Sequence, residues 1–220
     1  WLIGAVTGGQ LSRDLPVGAL MLVCPVTAAA ILVHREQGSA GVARLLRRSF
    51  DYHRITRRGW FAAVLLLMPG VYALAYEGMR VTGQPVPTPR FPLLAALAAF
   101  VAFFVGGLGE ELGWSGYAID PMQERWNALH AGILLGLVWA LWHLIPLAQI
   151  GRSAGWIVWW SIGTVAFRVV LTWIYNNAGK SVFAGALVHA LANLAWIGPF
   201  LDFAAGGYPY GGQRIARLVL

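Results

Sequence analysis

Six apolar runs recur along this 220-residue chain, each long enough as a helix to cross the ~30 Å hydrocarbon layer of a membrane. They fall at 15–34, 60–79, 91–117, 130–147, 155–176 and 181–201, without the alternation of barrel strands. In lipid every backbone polar group needs an internal partner, so such runs are read as helices. The expected fold class is all-α, a polytopic transmembrane helix bundle. Charged residues make up only 11% of the chain, against about 25% in an ordinary soluble domain, which excludes a water-soluble globule. The chain starts at Trp1 and ends on the apolar stretch RIARLVL. Two truncated spans are therefore expected beside the six complete ones, all in a single membrane-embedded domain.

The formal net charge is +7, and its distribution matters more than its sum. Arg35, Arg44, Arg47, Arg48, Arg54, Arg57 and Arg58 share one stretch between apolar runs. The positive-inside rule reads this loop, 35–59, as cytoplasmic, facing anionic lipid of what is expected to be the cell membrane. No aromatic interleaving or fold signature accompanies these arginines, so no nucleic-acid partner is expected. Cys24 is the single cysteine, which rules out an internal disulfide and gives no reading of redox compartment or of a cysteine-based metal site. Pro25 and Pro69-Gly70 are expected to bend their spans, and QPVPTP, 84–89, reads as a stiff connection.

Polar side chains at span depth carry the functional signal, because each charged one costs ~2.5–3.5 kcal/mol to insert. Glu110 and Glu111 extend the run ending VGGLG, His143 lies in WALWH, Arg168 interrupts an apolar span, and His189 and Asn193 lie in HALAN. At ~1.5 Å per residue, Glu110, Arg168 and His189 come out about 10–12 Å deep and His143 about 18–20 Å deep, so the groups can converge. His189 and Asn193, like Trp139 and His143, are four apart and share a helix face. Singly, each histidine or asparagine is explained by hydrogen bonding between helices. Two adjacent glutamates are harder to explain that way. Both do not stay ionised in low dielectric without a cation, so one is expected to keep a proton, as a general base requires. Gly106, Gly107, Gly109 and Gly113 around the pair read as close helix packing.

EELGWSGYAIDPMQERW, WALWHLIP and NNAGKSVFAGALVHALAN together resemble the CPBP family of intramembrane glutamic endopeptidases, relatives of the type II CAAX prenyl proteases. The resemblance is strongest over 91–196 and implies a bundle of about eight helices. By position it implies that Glu110 activates a water, with Glu111 as its neighbour and His143 helping to bind that water. His189 and Asn193 would stabilise the oxyanion. It also implies cleavage of a membrane-associated or lipid-modified polypeptide. Two positions depart from the family pattern: Ser115 stands where the pattern has arginine, and Trp139 where it has phenylalanine. Arg168, the one unexplained cation within a span, is expected to take the arginine's place and hold Glu111 ionised.

No cofactor is required by that chemistry. Zinc is the possible exception, with Glu110, His143 and His189 as ligands, although the HExxH spacing is absent. Two rival readings stand beside the first. GWSG, from Gly113 to Gly116, matches the rhomboid serine-protease signature with Ser115 as nucleophile. Alternatively, the carboxylates serve a proton-coupled transporter or a non-catalytic immunity or scaffold protein. His34, His53 and His130 read as interfacial or solvated, Trp156, Trp159 and Trp160 as an interfacial belt, and Asn176-Asn177 as a cap and turn.

Overall fold

The structure, a computed structural model, describes residues 10–12, 15–16, 21–83, 93–149 and 152–197. The terminal segments and the QPVPTP connection lie outside the described residues. Two short strands, β1 (Gln10–Ser12) and β2 (Leu15–Pro16), pair antiparallel ahead of the bundle. The other described elements are helical. The helices are α1 (Cys24–Arg47), α2 (Gly59–Val81), α3 (Leu93–Gly113), α4 (Ile119–Arg125), α5 (Ala128–Gln149), α6 (Ala154–Asn177) and α7 (Val182–Ile197).

Among the described residues, four segments are long and apolar enough to cross a membrane: Gly59–Val81, Leu93–Arg125, Ala128–Ala148 and Ala154–Asn177. The second is α3 continued through a π-helical turn, Trp114–Ala118, into α4. The apolar part of α7, Val182–Ala195, is shorter, and 198–201 of the span expected there lie outside the described residues.

The largest departure from expectation is at the start. Of the span expected at 15–34, Leu15–Pro16 is strand, 17–20 lie outside the described residues, and the α-helix starts at Cys24 and runs on to Arg47 through half of the stretch read as a loop. Arg35, Glu36 and Gln37 are good helix formers and are exposed, so the helix continues without an apolar signal. Its inner stripe is Pro25, Ala29 and Val33, then Gly41 and Leu45, at a spacing of four. Pro25 sits in the first turn, where its missing N–H costs nothing. The break falls instead at Gly38, whose φ of 66° suits glycine.

A 3₁₀ segment, Arg48–Arg54, then ties the helix ends together. Arg48 donates to the carbonyls of Gly116 (2.7 Å) and Lys180 (2.8 Å) and to the Tyr175 hydroxyl (2.9 Å). Buried Asp51 caps α7 from across the chain, accepting from Ser181 Oγ at 2.8 Å and from the backbone N–H groups of Val182 (3.2 Å) and Phe183 (3.0 Å). Asp51→Ala strands those donors and is expected to cost about 2 kcal/mol. Thermal unfolding in detergent checks this, and an unchanged midpoint would show the cap to be dispensable.

Around this clamp α3 packs on α7 and α1, α5 on α6, and α2 on α7. Gly107 lets α3 approach α7: a Cβ there would lie 3.2 Å from the Ala186 carbonyl oxygen and 3.6 Å from His189 Cβ. Gly136 does the same for α5 on α6, with a Cβ position 3.2 Å from Arg168 Cβ. These close crossings bring α3, α5, α6 and α7 around one polar interior.

Candidate active site

The acid pair ends α3, just before the π-helical turn. Glu111 is wholly buried, and Arg168 on α6, 1% exposed, grips it with two parallel bonds. Nη1 donates to Oε2 and Nη2 to Oε1, both at 2.9 Å, the strong fork geometry of a guanidinium and a carboxylate. His189 Nδ1 lies 3.2 Å from Glu111 Oε1, and Ser115 Oγ donates to Oε2. The π-helical turn carries Ser115, and so returns the hydroxyl to the carboxylate one turn before it.

Glu110 sits in a different environment. It is 4% exposed, and Trp139 Nε1 donates to its Oε2 at 2.8 Å. His143, one turn beyond Trp139 on α5, has Nδ1 2.8 Å from the Trp139 carbonyl oxygen. A carbonyl only accepts, so Nδ1 carries the proton, and the lone pair of neutral His143 is on Nε2. The same accounting applies to His189. Its Nδ1 faces an ionised carboxylate and must donate, so Nε2 offers a second proton only when the ring is an imidazolium.

Aromatic rings wall the imidazoles. Trp139 and Phe167 meet His189 edge-on at 5.2 and 5.9 Å, and Trp142 and Trp160 lie 5.1 and 5.0 Å from His143. Trp160 therefore belongs to the site rather than to an interfacial belt, and Trp156 is buried against Leu147. Trp159 is exposed as expected.

The structure thus brings Glu110, Glu111, Trp139, His143, Arg168 and His189 into one cluster. Asn193 is half-buried one turn past His189 and takes no part in the hydrogen bonds of the acid pair. Glu110, His143 and His189 are not gathered as a metal cage: among the described residues no three His, Cys, Asp or Glu side chains are spaced to hold an ion. Ser115 is hydrogen-bonded to a carboxylate and not to a histidine. Sequence reasoning passed over Trp142, Trp160 and Phe167 as site walls, and Asp51 as the cap of the helix that carries His189.

Comparison with known proteins converges on the same segment. Residues 92–195 match the family described as Type II CAAX prenyl endopeptidase, Rce1-like. The chain is also 26% identical to CAAX prenyl protease 2 of Methanococcus maripaludis, over an alignment covering 79% of this chain and 68% of that protein. The acid pair, both imidazoles and the buried arginine all lie within the matched residues, so the part of the chain that builds the site is similar to the Rce1-like CAAX prenyl endopeptidases.

Proposed function

We propose that this protein hydrolyses a peptide bond near the C-terminus of a prenylated, membrane-anchored polypeptide, using a water activated by Glu110 and His143. One observation carries the assignment, the unequal treatment of the two carboxylates. Glu111 accepts four hydrogen bonds, two of them from a guanidinium, which leaves it a fixed anion without free capacity. Among the described residues Glu110 accepts one, from Trp139 to Oε2, so Oε1 remains to take a proton.

In this reading Glu110 Oε1 and His143 Nε2 accept the two hydrogens of one water. As its oxygen attacks the scissile carbonyl, Glu110 takes one proton and the carbonyl becomes an oxyanion. Asn193 supplies a donor to that oxyanion, and His189 Nε2 adds a second when its ring is an imidazolium. Glu110 then returns its proton to the departing amine, which leaves a new carboxyl end and a new amino end. The aromatic walls keep bulk water from the acid pair and strengthen its electrostatics. No step requires a metal. The positive-inside rule reads the arginine-rich stretch as facing the cytoplasm, at the cell membrane.

The substrate reading is tested by reconstituting the protein in liposomes with a farnesylated peptide ending in a CAAX sequence and with its unprenylated twin. Cleavage within the C-terminal residues of the farnesylated peptide is expected, undiminished by a chelator, with at least about tenfold slower cleavage of the twin. Equal rates on both peptides overturn the prenyl preference. Loss of activity on chelation, restored by zinc, overturns the metal-free route.

A further inference from the structure

Trp139 touches every charged or titratable side chain of the site except Glu111. Its indole N–H donates to Glu110 Oε2 at 2.8 Å, and its backbone carbonyl accepts from His143 Nδ1 at 2.8 Å. The Arg168 guanidinium carbon lies 4.1 Å over its ring, while His189 meets that ring edge-on, with interplanar angle 79°. The side chain is 4% exposed. We infer that Trp139 is the positioning residue of the reaction: its N–H fixes the Glu110 carboxylate and its carbonyl fixes the His143 tautomer, so that base and imidazole are aimed at the same water.

The inference rests on the functional reading above and deepens it. Glu110 has no ion-pair partner among the described residues, so an N–H donor is what holds its carboxylate in one rotamer. The cation on the ring face adds to this. A guanidinium stacked on an indole draws electron density from the ring, which makes the ring N–H a stronger donor. Arg168 thus acts on both glutamates, on Glu111 through two direct bonds and on Glu110 through the tryptophan. A phenylalanine here supplies the ring but no donor, so the device depends on the indole nitrogen.

Trp139→Phe keeps the ring and the backbone carbonyl and removes only the N–H. Assayed on the farnesylated peptide, it is expected to lower kcat about 10- to 100-fold, with KM within about twofold and the thermal midpoint close to that of the parent. Unchanged kcat, or a fall in kcat matched by lost stability, overturns the inference. A second measurement does not depend on that variant folding. In Glu110→Gln the charged acceptor becomes an amide, so the most downfield indole N–H proton signal is expected to move upfield; a spectrum with no indole signal moved overturns the inference. The two readings fail separately. Glu110→Gln with full activity removes the functional reading, whereas an inactive Glu110→Gln beside a fully active Trp139→Phe removes only this one.

Discussion

Arg168→Leu is expected to destabilise the protein by about 3–5 kcal/mol, because it strands a carboxylate in the bundle interior. Glu111 is wholly buried and takes both guanidinium bonds from this one residue. After the substitution its remaining donors are Ser115 Oγ and His189 Nδ1, neither of which is a fixed cation. Arg168→Lys keeps the charge but cannot form the fork, and an intermediate loss is expected. The decisive comparison is the double variant. Glu111→Gln removes the charge that Arg168 neutralises, so Arg168→Leu with Glu111→Gln should be markedly more stable than Arg168→Leu alone. Thermal unfolding of the four proteins in one detergent closes the cycle and isolates the pair's coupling. Additive losses would mean that Arg168 stabilises the bundle by packing and not by pairing with Glu111.

What the chain discloses before folding follows from the physics of lipid. Span length is fixed by bilayer thickness, so α2, α5 and α6 lie within a few residues of their apolar runs. Glu110, Glu111, His143, Arg168 and His189 are legible as a group because each is expensive in hydrocarbon and none is explained alone. The pairing of Arg168 with Glu111 is legible for a related reason: one intramembrane cation at the right depth has few anions to choose from. The continuation of α1 is not legible, since a helix with its polar face in water leaves no hydropathy signal. Asp51 hides among arginines that suggest a solvated loop, although its carboxylate is buried beneath α7. The tryptophans hide best. In an apolar helix the residue type does not reveal whether an indole N–H meets lipid, backbone or, as in Trp139, a glutamate.

Glu110→Gln is expected to abolish proteolysis, a fall of at least about 10³-fold, and to leave the fold intact. Glutamine has the same shape and its amide oxygen still accepts the Trp139 N–H, so what disappears is the capacity to take a proton from water. Ser115→Ala supplies the contrast. A nucleophilic serine needs a base beside it, and here the hydroxyl proton is committed to Glu111 Oε2, a carboxylate already neutralised by Arg168. Removing that hydroxyl deletes one of four bonds on Glu111, and less than about tenfold loss of rate is expected from one such bond. Both variants are assayed on the farnesylated peptide at saturating concentration, so the comparison reads kcat and not affinity. An active Glu110→Gln beside an inactive Ser115→Ala would transfer the chemistry to the serine and make the acid pair a packing element. If both variants keep full activity, the water-activating centre lies elsewhere in the bundle.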